Sequence, residues 1–328
     1  MPSRAFHRYA LFTLAVGVLL IWWGAAVTTE DVGLAVPDWI TSFGYWLFPP
    51  SWYKEPAILL EHGHRLIAQT VGFLVLGMYF WVMHKQRPNY VEAVIIILCG
   101  LGYIVLVYMA QLAVAGLIVV MGFSWLILTW LGRKWPLMRG LATLALFLVI
   151  LQASLGGLRV TKMSDPFGIL HGTLGQLFFC LLVFIAFSSS RIWTEGRLVL
   201  KVIEAAHARF WSLLLFGCVF LQLVLGATVR HTQRTHLVAS DILTTKGQWL
   251  PPLHPEDVFL LFAHKYWGFT VALLIIFVAV RARRWLVTLP QMRPVATLLL
   301  FIAPAWREPS RGAHPRLTDP RTRSGRRR

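Results

Sequence analysis

Charge is scarce in this chain, and acid is scarcer than base. Only 14% of the 328 residues are charged, whereas a soluble domain carries about a quarter. Thirty-one Lys and Arg stand against 14 Asp and Glu, a net charge of +17. Cysteine is nearly absent. Cys99, Cys180 and Cys218 all fall inside apolar runs, which excludes a disulfide framework and a thiolate metal cluster. Residues 92–132 hold no Lys or Arg. No clear small-x-small cleavage site follows the first apolar run, so Met1 to Thr28 reads as a retained helix rather than a signal peptide.

What is present is apolar surface. The composition is 57% hydrophobic and the mean hydropathy is +0.64, which excludes a disordered chain. A spanning helix needs about 20 apolar residues. Such runs occur near 9–28, 59–83, 92–110, 112–132, 139–158, 167–188, 208–228 and 257–280. The uncharged stretch 92–132 divides into a tight hairpin near Ala110. A ninth run begins near Pro294 and stops early. The expected fold is therefore all-α and polytopic in the lipid bilayer.

The basic residues orient it. Alternating the loops puts fifteen Lys and Arg on the side of the N-terminus and six on the other, outside the tail. The positive-inside rule assigns the richer side, and the N-terminus, to the cytoplasm. Loops 29–58 and 229–256 then face outward. Residues 307–328 read REPSRGAHPRLTDPRTRSGRRR, with eight Arg and two acids, so they carry +6 of the +17. Nucleic-acid binding would need the charge on a folded polar surface. Here it lies in loops and a tail, and no nucleic-acid partner is expected.

An internal repeat organises the chain. LAVPDWITSFGYWLFPP at 34–50 matches LVASDILTTKGQWLPP at 237–252 with one gap. The shared residues are Leu34/Leu237, Asp38/Asp241, Thr41/Thr244, Gly44/Gly247, Trp46/Trp249, Leu47/Leu250 and the Pro-Pro pair. Gly24–Val27 (GAAV) precedes the first and Gly226–Val229 (GATV) the second. His64-Arg65 and His264-Lys265 follow at an offset of 200. Met138–Phe147 (MRGLATLALF) likewise matches Met292–Phe301 (MRPVATLLLF). Two tandem four-helix units are expected. The first, 1–190, carries the inserted hairpin 92–132. The second, 191–306, is cut short at Ile302-Ala303-Pro304. The basic tail 307–328 is expected to be disordered or out of frame, having the composition of GC-rich DNA read in the wrong frame.

Histidines carry the chemical signal. Ionisable residues within a span are costly and mark function. His64 and His171 lie about one turn into their helices from the outer end and His264 about two, all near one level. Facing side chains in a four-helix unit build a cofactor site in its core. Two neutral imidazoles from opposite helices can ligate a flat metal-porphyrin from both faces. Zinc lacks a tetrahedral set here. Arg65 and Lys265 stand next to their histidines, and Arg230 next to His231, as partners for propionates. Glu61 lies one turn before His64 on the same face, either as an acid/base beside the porphyrin or as a carboxylate favouring the helix N-terminus. His62 points elsewhere. His231 lacks a counterpart in the first half, where Thr29 stands. Gly156-Gly157 and Gly226 are assigned to close helix packing.

These segments resemble one family. Glu61-His62-Gly63-His64-Arg65 looks like the Glu-x-x-His-Arg motif of the heme A synthases of cytochrome oxidase assembly. Leu155–Val160 with His171-Gly172 is similar to that family's third and fourth helices. Val229–Thr232 and His264-Lys265 are similar to its second half, where His-Arg is usual. The resemblance spans most of 9–302 outside the hairpin. It implies oxidation of the C8 methyl of heme O to a formyl group. His64 and His171 would belong to the substrate unit, Glu61 would match the family's catalytic carboxylate, and His264 would ligate a b-type heme that supplies electrons. It further implies heme O and the farnesyltransferase that makes it as partners, an electron donor the sequence does not name, the bacterial plasma membrane, and room for self-association. The missing last helix leaves His264 without an evident partner ligand. The alternative is a di-heme electron-transfer cytochrome, which would need the histidines but not Glu61. A transporter should show a broken helix at mid-membrane, and none is found.

Overall fold

A computed structural model describes residues 2–85, 136–195, 202–232, 244–245, 247–250 and 256–285, with isolated positions between 94 and 125. The hairpin 92–132 as a whole, the run from Pro294, the tail 307–328, His236, His254 and most of the second outer loop lie outside the described residues.

The described residues are helical. They form α1 (Arg4–Thr29), α2 (Pro56–Lys85), α3 (Leu137–Lys162), α4 (Asp165–Ser188), the single turn α5 (Arg191–Thr194), α6 (Val202–His231) and α7 (Glu256–Trp285). All but α5 are long and apolar enough to cross a membrane. Backbone groups in lipid must be satisfied within the segment, and a helix does that. The chain is an all-α polytopic membrane protein.

Local signals set the ends. Ser3 caps α1, its Oγ accepting from Phe6 N–H at 3.2 Å. Arg159 and Lys162 lie in the last turn of α3, favourable against the helix dipole. Met163 turns the chain with φ 48°, and α4 starts two residues later with Asp165-Pro166.

Helices α1 to α4 close into a ring: α1 packs on α2, α2 on α3, α3 on α4 and α4 on α1. Helices α6 and α7 form an antiparallel pair that meets the ring through α4. The dense core sits at the end of the ring that holds the N-terminus. There Phe6, Val75, Met78, Tyr79, Ala145 and Leu182 are almost completely buried, and Tyr9 Oη donates to the Leu74 carbonyl at 2.9 Å. Each buried side chain of this size contributes about 1.5–3 kcal/mol in water; in lipid the same contacts act mainly through dispersion and shape. The opposite end of the ring carries the loop 30–55 and the histidines.

That loop and its counterpart before α7 adopt one turn. Ser42 and Tyr45 exchange both backbone hydrogen bonds, at 2.9 and 3.0 Å, as do Thr245 and Gln248 at 3.0 and 3.1 Å. Gly44 and Gly247 occupy the same left-handed position, φ 79° and 75°, where a side chain would be strained.

Candidate functional site

His64 on α2 and His171 on α4 come together across the ring. Their imidazole centroids are 6.5 Å apart and their planes nearly perpendicular at 83°. A metal about 2 Å from each of two facing imidazole nitrogens holds ring centres roughly 6 Å apart, so the separation fits one ion between them.

The two rings differ in their hydrogen bonds. Nδ1 of His171 lies 3.1 Å from the carbonyl oxygen of Gln152 on α3. A carbonyl only accepts, so Nδ1 carries the proton and Nε2 keeps its lone pair. Ligand histidines are commonly oriented this way. Nδ1 of His64 is buried without a hydrogen-bond partner, and a buried polar atom in that state marks a place where a further group belongs.

Helix depth differs from the sequence expectation. Helix α2 begins at Pro56 and α7 at Glu256, so His64 lies as far into its helix as His264 does. Proline favours a first-turn position, which carries α2 a turn before the apolar run.

Glu61 is buried, only 4% exposed. Its Oε2 accepts from the backbone N–H of Val36 at 2.7 Å and its Oε1 from Arg65 Nη2 at 2.7 Å. Arg65 does more than pair with it. Nη1 donates to the carbonyls of Asp38 at 2.7 Å and Thr41 at 3.0 Å and to Ser42 Oγ at 3.3 Å. Nη2 also donates to the Val36 carbonyl at 3.0 Å. One turn of α2 thus ties down the whole loop 36–42.

The other two expected cations behave alike. Lys265 Nζ donates to the Thr244 carbonyl at 2.5 Å, the repeat equivalent of the Arg65–Thr41 contact. Arg230, at the end of α6, donates to the carbonyls of Thr28 and, at 3.4 Å, Thr29 in the last turn of α1, where the Thr28 carbonyl also accepts from Asp31 N–H at 3.2 Å. All three cations therefore hold backbone carbonyls at the loop end, and a propionate would have to share them.

Asp38 lies in the loop outside the spans. Burial works against its ionisation, yet donation from Gly44 N–H, the Thr41 hydroxyl and Phe43 N–H outweighs that and holds the carboxyl below its ordinary value. The distances are 3.0, 2.5 and 2.6 Å.

Sequence reasoning set His62 aside. Its side chain is 2% exposed. Its Nδ1 is hydrogen-bonded to Ser42 Oγ at 3.0 Å, and the Trp52 ring meets it edge-on at 4.9 Å. It is a second anchor for the same loop. His231, at the end of α6, rests on Gly168 of α4, at the junction between the α6–α7 pair and the ring.

Over 281 aligned residues the chain is 26% identical to the heme A synthase of Shouchella clausii, covering 83% of this chain and 74% of that protein. An 87-residue stretch is 32% identical to the heme A synthase of Symbiobacterium thermophilum, covering 26% of this chain and 27% of that protein. The chain is a relative of the heme A synthases. The resemblance read from Glu61–Arg65 and the later histidines is borne out by these alignments. No family model matches the chain.

Proposed function

We propose that this chain is a heme A synthase that oxidises the C8 methyl of heme O to a formyl group for cytochrome c oxidase. The observation that carries the reading is the His64–His171 pair, 6.5 Å apart across the ring, one turn from the buried carboxylate Glu61. The substrate unit comprises residues 1–190, and His64 and His171 would hold the iron of heme O. The second unit, 191–306, would hold a b-type heme through His264. Bound there, that heme supplies electrons to the oxidation.

The chain's own groups supply position and proton handling. The donors Val36 N–H and Arg65 fix the orientation of Glu61 and leave it defined lone pairs with which to accept a proton. Trp52, His62 and Ser42 close the loop over this end and limit water. Arg65, Arg230 and Lys265 form a cationic rim that suits propionates. The excess of Lys and Arg on the N-terminal side supports a cytoplasmic N-terminus, with the histidines near the outer face of the bacterial plasma membrane. The partners that follow are the farnesyltransferase that delivers heme O and an electron donor; the reading is compatible with a homo-oligomer.

The test is expression with a source of heme O, followed by extraction of the hemes. Wild type should yield heme A, and Glu61→Ala should keep bound heme while yielding none. Bound heme with heme O left unchanged in the wild type would favour the electron-transfer cytochrome.

A further inference from the structure

Three glycines stand against three histidines in one arrangement. A β-carbon on Gly24 of α1 would lie 3.0 Å from Cε1 of His64, 3.4 Å from its Nδ1 and 3.9 Å from its Nε2. On Gly156 of α3 the same atoms of His171 would lie at 3.2, 3.5 and 3.7 Å. On Gly226 of α6 those of His264 would lie at 2.8, 3.5 and 3.6 Å. The order of atoms is identical each time: Cε1 nearest, then Nδ1, then Nε2. Each imidazole therefore presents the same edge to its glycine.

Close helix packing alone does not require this. Other glycines of the bundle meet different groups: Gly63 the Trp23 indole, Gly77 the Tyr9 hydroxyl and Gly157 the Trp39 indole. Gly72 and Gly217 have no atom within 4 Å of a built β-carbon. Gly168 meets His231 through Cε1 and Nδ1 at 2.5 and 2.7 Å, with Arg159 Cδ as its third neighbour. Among the described residues, Gly24, Gly156 and Gly226 are the three glycines that meet Cε1, Nδ1 and Nε2 of one imidazole in that order, and those imidazoles are the expected ligands.

We propose that Gly24, Gly156 and Gly226 are positioning residues that set the ring planes of His64, His171 and His264 toward a porphyrin iron. The inference rests on the heme-binding reading and adds the groups that fix ligand geometry. The absence of a side chain lets the Cε1–Nδ1 edge of the imidazole approach the neighbouring helix. A methyl group 2.8 Å from Cε1 at Gly226 forces a shift, and at 3.0 and 3.2 Å, at Gly24 and Gly156, the ring must give by a few tenths of an ångström. At the His64–His171 pair the two glycines together set the 83° between ring planes, and those rings would hold one iron between them. The angle between axial imidazole planes governs the g-anisotropy of a low-spin ferric heme, so it can be read directly.

The test uses the full chain in membranes, with Gly24→Ala, Gly156→Ala and Gly226→Ala compared with Gly72→Ala and Gly217→Ala. Heme content and the low-spin electron paramagnetic resonance spectrum are recorded. The seat variants should shift the low-spin g-values and lower heme retention by about tenfold, the scale of losses in groups that orient metal ligands. The two controls should match wild type. A double-mutant cycle separates seating from folding. In a His64→Ala background, Gly24→Ala should have no further effect on heme content or protein accumulation, because the ring it would strike is gone. Equal damage from Gly24→Ala with and without His64 overturns the proposal, as do wild-type g-values in the seat variants. If the wild type carries low-spin heme but leaves heme O unchanged, the synthase reading fails while the seats are still measured. A wild type that binds no heme overturns both.

Discussion

Helices α1 and α2 with their loop, and helices α6 and α7 with theirs, are two versions of one design. Both have the same turn, with Gly44 and Gly247 in the left-handed region. Both place a cation one residue after the histidine on the carbonyl of the equivalent loop threonine. Both rest the histidine on a glycine. They differ one turn before the histidine. The first pair has Glu61, held by Arg65 and Val36. The second has Leu261, 1% exposed. In the proposed function the shared parts would hold a porphyrin, and the carboxylate would mark the pair where the oxidation takes place.

The largest effects should come from that difference. Glu61→Ala removes one partner of a buried ion pair and leaves Arg65 uncompensated, which costs about 3–5 kcal/mol. Glu61→Gln should retain much of the shape and lose the charge. Thermal unfolding of the detergent-solubilised protein should rank wild type above Glu61→Gln above Glu61→Ala. Stability unchanged in Glu61→Ala would show that the buried pair does not organise the loop.

Arg65→Lys should come next. A lysine ammonium cannot reproduce the planar fork that reaches Val36, Asp38, Thr41, Ser42 and Glu61, and charge-assisted hydrogen bonds are worth about 1.5–3 kcal/mol each. Lys265→Arg, which makes the second pair resemble the first, should cost less than 1 kcal/mol or so, in the range of ordinary surface substitutions. Limited proteolysis of the loop 30–55 distinguishes them: cleavage should accelerate for Arg65→Lys and not for Lys265→Arg.

Gly44→Ala and Gly247→Ala should have small and matching effects. Neither added methyl meets an atom within 4 Å, so the cost is conformational, about 1 kcal/mol. Unequal shifts in unfolding temperature would mean that the two turns are not equivalent.

The smallest effect is the pH dependence of the first loop. The Asp38 carboxyl titrates below its ordinary value when folded. Its contribution is therefore complete above the unfolded value, about pH 3.9, and is lost as pH falls through the lower folded value. Cleavage of the loop by an acid-active protease should rise as pH drops below about 4 in wild type. In Asp38→Asn it should be faster throughout and flatter with pH.

Much of this was legible in the sequence because lipid simplifies the problem. Six runs of apolar residues became six spans, since an uninterrupted greasy run in a bilayer has one way to satisfy its backbone. His64, His171 and Glu61 stood out because ionisable groups are rare there. The partners of Arg65 were not legible. A cation beside a histidine suggests an anionic ligand, but apart from Glu61 and Ser42 its acceptors are carbonyls of a loop 24 to 29 residues away, and carbonyls leave no mark in a sequence. The seat of His171 on Gly156 was equally hidden, because any residue type has a backbone and glycine is common in packed membrane helices. The start of α2 lay before its apolar run for a simple reason: Pro56 favours a first-turn position.

The division of labour between the two pairs is the central claim, and extraction of hemes from membranes holding single histidine variants tests it most directly. With a heme O source present, His64→Ala should lose heme O and heme A while retaining b-type heme. His264→Ala should lose b-type heme while retaining heme O in unconverted form. Loss of the same heme from both variants would contradict the account.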